Sequence, residues 1–285
     1  MLDFHIYDVF TDTPFTGNPL AIVEGADGLT TAQMQTIARQ FNLSETIFVQ
    51  TPDDPAHTAK VRIFFPTAEI PFAGHPTIGC ALHLANGTPE VTLEEVAGLV
   101  PVTIAEGIAE FTAPKLPTAR PAPDRATTAA AMGLTEADLT DTQIGHFEGG
   151  PSFVYAELKD LETLARAWPQ EPAFSQMSQA ADGTGGLCAY VRTGHDSAQS
   201  RMFDPPAGIM EDPATGSATA IFAAQLSATG HLSQSGTTTF HLKQGVEMGR
   251  PSALRLTIDT DQGRPSAIRV AGQAVKIAHG QIRIP

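Results

Sequence analysis

Alternating apolar and polar side chains predict a strand at the start of the chain, over residues 2–7. Short apolar runs bounded by turn residues predict further strands. These are at 20–23, 46–49, 61–65, 153–158, 187–191 and 201–204. Hairpins are predicted over 91–112, and closing strands over 237–242, 253–259, 266–271 and 274–284. The chain is therefore rich in short strands.

Helical periodicity is clearest between Thr30 and Asn42. Thr30 and Gln33 have the spacing of a capping box, and apolar residues recur at helical spacing from Met34 to Phe41. Other helices are predicted over 77–85, 161–168 and 215–229. Because strands outnumber helices and do not alternate regularly with them, the pattern predicts an α+β fold.

Composition excludes several classes of protein. Hydrophobic residues make up 42% of the 285 residues, which is enough for a buried core. The net charge of −14 argues against nucleic acid and anionic membranes as partners. No apolar stretch is long enough to span a membrane, and no secretory signal is visible. We therefore expect a cytoplasmic protein.

The two halves of the sequence share motifs in the same order. Residues 62–66 (RIFFP) match 201–205 (RMFDP), and 75–81 (HPTIGCA) match 212–218 (DPATGSA). We predict two homologous domains, 1–118 and 119–285, joined by the proline-rich stretch 113–125. The C-terminal strand could cross back to the first domain.

Each matched motif opens a helix with proline and an early glycine, Gly79 or Gly216. One explanation is a ligand that approaches the backbone closely, with two helix N-termini holding a small carboxylate across an inter-domain cleft. The other explanation is tight packing of each helix against its sheet. The sequence leaves both open.

Four segments carry a family resemblance: DVFTDTPFTGNPLAIV, NLSETIFV, FFPTAEIPFAGHPTIGCA and MFDPPAGIMEDPATGSATA. Together they resemble the PhzF-like isomerase family of phenazine biosynthesis. The resemblance implies the diaminopimelate epimerase-like fold, with two pseudo-symmetric domains, each a barrel-like sheet around a central helix. It also implies a homodimer, no metal or organic cofactor, and a small-molecule carboxylate substrate.

The resemblance also implies roles for individual residues. Glu45, in the S-E-T-x-F segment, corresponds to the family's catalytic acid/base. Substrate-binding roles fall on the G-H-P and D-P-A-T-G-S segments, that is on Gly74, His75, Asp212, Gly216 and Ser217. The implied reaction moves a proton between carbons, as in the isomerisation of trans-2,3-dihydro-3-hydroxyanthranilate.

Alternatives remain at this stage. A racemase or epimerase of this fold would use two facing thiols, but Cys80 pairs with Ser217 in the duplication, which argues against that mechanism. A non-catalytic binding scaffold is the third reading. Without the resemblance, Glu45 would be read as a surface carboxylate and Asp212 as a helix cap. The other histidines show no ligand spacing, so no metal site is predicted: His5, His57, His83, His146, His195, His231, His241 and His279.

Overall fold

The computed structural model describes residues 1–285 and contains two compact units. The first unit comprises residues 1–112, 250–253 and 270–285, and the second comprises 113–249 and 254–269. The division thus falls a few residues before the predicted boundary at 118, and the C-terminal strand lies in the first unit. Each unit is described by itself below.

The elements of the chain follow in order. The first part contains β1 (Leu2–Val9), β2 (Asn18–Val23), α1 (Thr31–Phe41), β3 (Glu45–Gln50), β4 (Ala59–Phe64), β5 (Glu69–Ile70), α2 (Gly74–Leu84), β6 (Glu90–Glu95), β7 (Gly98–Ala105) and β8 (Ile108–Thr112). The middle part contains β9 (Thr118–Ala119), α3 (Arg125–Ala131), β10 (Gly145–Glu148), β11 (Ser152–Glu157), α4 (Leu161–Arg166), α5 (Ala173–Ala180), β12 (Gly186–Arg192), β13 (Ser197–Asp204), β14 (Ile209–Asp212) and α6 (Gly216–Ala228). The chain ends with β15 (Ser235–Gln244), β16 (Ser252–Asp261), β17 (Arg264–Gly272) and β18 (Ala274–Ile282).

The sheet of the first unit runs in the order β18, β1, β2, β3, β4, β6, β7, β8. Neighbouring strands are antiparallel except for two parallel pairs, β2 with β3 and β4 with β6. Helix α2 contacts strands from both ends of this order, including β18, β1, β7 and β8. The sheet therefore wraps around α2, whose residues 74–81 are all buried.

The second unit repeats this arrangement. Strands β10, β11, β12, β13 and β15 are neighbours in that order, with parallel pairs at β11/β12 and β13/β15. Helix α6 packs on β10 and β11 and is buried along nearly its whole length. The same succession of strands, short strand and buried helix occurs in both units, which confirms the predicted pseudo-symmetric α+β fold with central helices.

The strongest helix prediction is confirmed at both ends. The Thr30 side chain accepts from the backbone N–H of Gln33, whose own side chain accepts from the backbone N–H of Thr30. The helix ends at Phe41, and its C-cap Asn42 adopts the left-handed conformation with φ 51°.

The two central helices differ slightly from prediction. Helix α2 begins at Gly74 rather than at residue 77, because a proline in the first helical turn needs no N–H partner. A Cβ on Gly79 would come within 2.6 Å of Leu20 and 2.8 Å of Val9. Close packing against strands therefore explains this glycine without a ligand.

No helix in the structure combines the length and the apolar character that a membrane crossing requires.

Candidate active site

Glu45 and His75 meet in the first unit. Glu45 opens strand β3 and His75 lies in the first turn of α2. The Glu45 Oε2 atom lies 2.8 Å from His75 Nδ1, and the two residues are 8% and 2% exposed. Glu45 is thus a buried carboxyl with a histidine partner, and the reading as a surface carboxylate is wrong.

The hydrogen bond made by His75 Nε2 determines the protonation state of the contact between Nδ1 and Glu45. His75 Nε2 lies 3.1 Å from the backbone oxygen of Asn18, and a carbonyl oxygen only accepts hydrogen bonds. Nε2 therefore carries a hydrogen and donates it to Asn18. The contact between Nδ1 and Glu45 then requires one further proton, which is held either by the histidine or by the carboxyl group.

The three groups of this hydrogen-bonded chain lie on neighbouring elements, namely the Asn18 carbonyl on β2, Glu45 on β3 and His75 on α2. Strand β2 supplies the Asn18 carbonyl at its first residue, and it pairs with β3 so that Leu20 lies opposite Glu45. Helix α1 ends at Phe41, and the chain enters β3 at Glu45 after a three-residue connection. The acid, the histidine and the carbonyl are consequently fixed by sheet pairing and by the buried helix α2.

The Asp212 segment lies in the second unit. Asp212 ends strand β14 and is 5% exposed, and its Oδ2 atom accepts a 2.5 Å hydrogen bond from the Thr215 hydroxyl. The N-cap of α6 is Thr215, so Asp212 is not the helix cap. Gly216 and Ser217 form the first helical turn, Gly216 buried and Ser217 partly exposed.

Helices α2 and α6 share one further property. Neither has a side-chain hydrogen bond at its N-cap. The first N–H groups of a helix have no partner within the helix and carry a partial positive charge, which suits anionic ligands.

The structure thus places the predicted residues in two groups. Glu45, Gly74 and His75 belong to the first unit, where the acid and the histidine are hydrogen-bonded. Asp212, Gly216 and Ser217 belong to the second unit. That all six serve one substrate stays a prediction.

Sequence reasoning missed Gln244, which braces the Asp212 segment. Its Nε2 donates to the Asp212 carbonyl at 2.7 Å and to the Thr215 hydroxyl at 3.0 Å. A signal was available, because Phe240, Leu242 and Gln244 alternate as the buried positions at the end of β15. A polar residue at a buried position of this period needs a hydrogen-bond partner.

Neither cysteine is suited to act as a thiolate base. Cys80 and Cys188 are both buried and unpaired. Burial raises the pKa of both thiols above the usual range. This environment disfavours a two-thiol racemase mechanism.

Sequence comparison places the chain among known relatives. The PhzC-PhzF family model, described as phenazine biosynthesis-like protein, matches residues 7–280. An uncharacterized isomerase of Mesorhizobium japonicum is 37% identical, with 99% of both chains covered. The trans-2,3-dihydro-3-hydroxyanthranilate isomerase of Pseudomonas fluorescens is 32% identical, also over 99% of both chains.

Solved structures agree on the fold. A Bacillus anthracis phenazine biosynthesis protein of the PhzF family superposes with a TM-score of 0.88 at 24% identity, covering 99% of both chains. A hydroxyproline epimerase from Agrobacterium vitis superposes with a TM-score of 0.60 at 13% identity, over 98% of this chain and 91% of that one. At these identities both likenesses concern the fold alone. From the family match and the isomerase relatives together, we conclude that this chain belongs to the phenazine biosynthesis-like PhzC-PhzF family and is an isomerase-type enzyme.

Proposed function

We propose that this protein is a cofactor-independent isomerase that moves a proton between two carbon atoms of a small carboxylate, with Glu45 as acid and base. The observation that carries the proposal is the Glu45–His75 contact, which holds one shared proton in a buried place. A relative of 32% identity that isomerises trans-2,3-dihydro-3-hydroxyanthranilate by name supports this substrate class.

The chemistry needs no external reagent. Glu45 as carboxylate removes a proton from one carbon, and the electron pair of the broken C–H bond forms a new double bond. The existing double bond shifts, and Glu45 returns the proton to the carbon at its far end. The proton balance closes within the substrate and Glu45, so no oxidant or reductant takes part.

In this proposal, His75 supports the proton transfer by positioning. Its hydrogen bond to the Asn18 carbonyl fixes the ring orientation, so that Nδ1 always faces Glu45. While Glu45 is a carboxylate, the shared proton lies on Nδ1, which donates to Oε2; when the substrate proton arrives on the other carboxyl oxygen, Nδ1 continues to donate to Oε2. Both states of Glu45 that the reaction requires therefore keep a partner in a buried position, where an unpaired carboxyl group is costly.

The remaining predicted residues are proposed to bind the substrate. Gly74, Gly216 and Ser217 lie in the first turns of α2 and α6, whose N-termini attract a carboxylate. Asp212 is proposed to bind an amino or hydroxyl group of the substrate. The protein is further expected to act as a cytoplasmic homodimer, as the family resemblance implies.

The test is the variant Glu45→Gln, assayed with trans-2,3-dihydro-3-hydroxyanthranilate. Glutamine keeps the size of the side chain but cannot exchange a proton, so we expect kcat to fall by roughly 10²–10⁴-fold. The matched control is Glu106→Gln, a change at an exposed turn residue that should leave kcat unaltered. Near wild-type turnover by a folded Glu45→Gln protein would remove Glu45 from the mechanism.

The same assay in D₂O separates the isomerase from the racemase alternative. An isomerase yields a product whose double bond has moved and whose new C–H bond lies at a second carbon. A racemase places deuterium at one stereocentre without moving a double bond. The buried, high-pKa thiols lead us to expect the first result.

A further inference from the structure

Three side chains with metal-binding atoms converge at the C-terminal end of α2. The Oε1 atom of Glu24 lies 2.8 Å from His5 Nε2 and 2.7 Å from His83 Nε2. All three potential ligand atoms lie within 4.8 Å of one another. Both imidazole rings thus point the same type of nitrogen at one carboxylate oxygen.

Rigid elements of the first unit hold these three residues. His5 lies in β1, and Glu24 follows the last residue of β2. Strands β1 and β2 are paired, with His5 opposite Ile22, and the Glu24 N–H donates to the Asp3 carbonyl. His83 lies in the last turn of the buried helix α2. Such a framework holds ligands at fixed separations, as metal binding requires.

We propose that His5, Glu24 and His83 form a binding site for a divalent transition-metal ion of the Zn²⁺ class. Two imidazole nitrogens and one carboxylate oxygen are ligands that suit Zn²⁺ and Co²⁺, whereas Mg²⁺ and Ca²⁺ prefer oxygen ligands throughout. Short N···O separations need to widen only slightly for an ion with ligand bonds of about 2.0–2.2 Å to enter.

Tyr7 provides the outer partner that metal-bound histidines usually have. Its hydroxyl group lies 3.0 Å from His83 Nδ1. With His83 Nε2 bound to a metal, the ring hydrogen moves to Nδ1, which then donates to the Tyr7 oxygen. A tyrosine hydroxyl can exchange its donor role for an acceptor role, so this change leaves both groups paired.

Glu24 and the C-terminal end of α2 attract a cation, whereas the positive charge of Lys276 acts on His5 in the opposite sense. The C-terminal end of a helix carries a partial negative charge, and His83 lies in the last turn of α2. The two histidine side chains are 14% and 11% exposed, whereas Glu24 is 43% exposed. The ion can therefore enter on the carboxylate side, where water would complete its coordination.

This site is separate from the proposed proton-transfer residues. His75 and His83 lie in the first and last turns of α2, about 12 Å apart along the helix axis. A metal bound to His5, Glu24 and His83 would join β1, β2 and α2, and its expected effect is on stability. The inference does not depend on the proposed reaction.

The test is a titration of the metal-free protein with Co²⁺, followed by visible absorption and by the melting temperature. We expect the visible d–d absorption bands that are typical of Co²⁺ with a low coordination number, and one ion bound per chain. The melting temperature should rise with Co²⁺ or Zn²⁺. Glu24→Gln should weaken binding by more than tenfold while its amide oxygen still accepts from both histidines. Tyr7→Phe should weaken binding by about tenfold, as for other outer partners of metal ligands.

His57→Gln is the matched control. His57 and Glu94 form a second histidine–carboxylate pair in the same unit, with Nδ1 and Oε1 2.7 Å apart. This pair belongs to no three-ligand group, so the variant should bind Co²⁺ as the wild type does. Absence of bands and of thermal stabilisation in the wild type, or equal binding by Glu24→Gln, would overturn the proposal and leave a hydrogen-bonded cluster only.

Discussion

Glu94 and Glu95 are neighbours on β6 whose pKa values shift in opposite directions. Burial raises the pKa of Glu95 to about 8. Backbone N–H groups of Asp54 and Asp53, helped by His57, lower the pKa of Glu94 to about 2. Successive residues of a strand face opposite sides, so adjacent carboxyl groups enter different environments.

The hydrogen bonds of Thr77 agree with a protonated Glu95. The Thr77 hydroxyl lies 2.7 Å from the Ala73 carbonyl and 2.6 Å from Glu95 Oε1. Its single hydrogen can serve only one of these oxygens, so both contacts are satisfied when Thr77 donates to Ala73 and the acid donates to Thr77. Glu95 Oε2 is buried without a hydrogen-bond partner, as suits a neutral group better than a charged one.

Glu95 should therefore make the protein less stable as the pH rises. Between its unfolded pKa near 4.5 and its folded pKa near 8, the folded chain holds a proton that the unfolded chain has lost. The free energy of unfolding then falls with pH, by at most about 1.4 kcal/mol per pH unit. We expect Glu95→Gln to remove this fall. In urea denaturation, the variant should then have a higher free energy of unfolding than the wild type at pH 8 but not at pH 5.

Glu94→Gln is the companion measurement with the opposite sign. Since the folded pKa of Glu94 is low, its contribution is present above about pH 4.5 and is lost as the pH falls towards 2. This variant should be less stable at neutral pH and converge with the wild type in acid. An unchanged pH dependence in Glu95→Gln would show that Glu95 ionises normally.

Some of these residues could be found from the sequence and others could not. Glu95 has the same signal as Gln244, because Val91, Leu93 and Glu95 are the buried positions of β6. Glu45 and His75 were each predicted as site residues from the family motifs. Nothing in the spacing of residues 45 and 75 indicates that they are in contact. The grouping of His5, Glu24 and His83 depends on strand pairing and on the docking of α2, which no local pattern encodes.

At the scale of elements, the internal duplication retains a paired arginine and glutamate. Arg62 of β4 binds Glu69 of β5 through Nε and Nη2, at 2.7 and 2.6 Å. The equivalent Arg201 of β13 binds Glu211 of β14 through the same atoms, both at 2.8 Å. Each pair links a long strand to the short strand that precedes a central helix.

The two pairs differ in burial and in further partners. Arg62 and Glu69 are 21% and 27% exposed, whereas Arg201 and Glu211 are 4% and 5% exposed. Arg201 Nη1 also donates to the carbonyls of Leu164, Ala165 and Ala167 at the end of α4. Arg201 is thus part of the interior of its unit.

This difference predicts unequal costs for the same substitution. Arg201→Met leaves Glu211 as a buried charge without its partner, and we expect a loss of about 3–5 kcal/mol in the free energy of unfolding. Arg62→Met removes a partly solvated pair, and we expect a loss of no more than about 1 kcal/mol. Urea denaturation of both variants provides the measurement. Equal losses would contradict the assignment of Arg201 to the core.

The order of elements was largely predictable, and their ends less so. Capping chemistry located the start and the end of α1, and alternation located the hairpins of β6, β7 and β8. The short helices α3 and α5 escaped prediction, because α3 follows a proline-rich stretch and α5 follows Pro172. Their apolar residues join the core of the second unit only in three dimensions, including Ala129, Phe174 and Met177.

At the scale of the whole molecule, the first unit contains the last strand of the chain. Strand β18 pairs with β1 from Leu2 opposite Ile282 to Val9 opposite Ala274 and also contacts α2. Arg250, from the C-terminal part of the sequence, also belongs to the first unit. Its guanidinium group forms an ion pair with Asp8 and donates to the carbonyls of Thr16 and Gly17. The unit is therefore incomplete without residues from the C-terminal part of the sequence.

Removal of residues 274–285 should destabilise the first unit. The truncation exposes the edge of β1 and one side of α2, so we expect a lower melting temperature and rapid proteolysis within residues 1–112. The control removes only residues 283–285 and costs one exposed hydrogen bond, from Gln33 Nε2 to the Pro285 carbonyl. If the longer truncation melts like the control, β18 contributes little to the first unit.

The pairing of β1 with β18 also bears on how the protein is made. The chain emerges from the ribosome from its N-terminal side, so β1 emerges before β18. While the second unit is being synthesised, one edge of β1 lacks its partner β18. Unpaired strand edges of this kind can pair with other chains and lead to aggregation. The first unit is therefore completed only once β18 has been synthesised, and slow synthesis prolongs the period in which this edge is exposed.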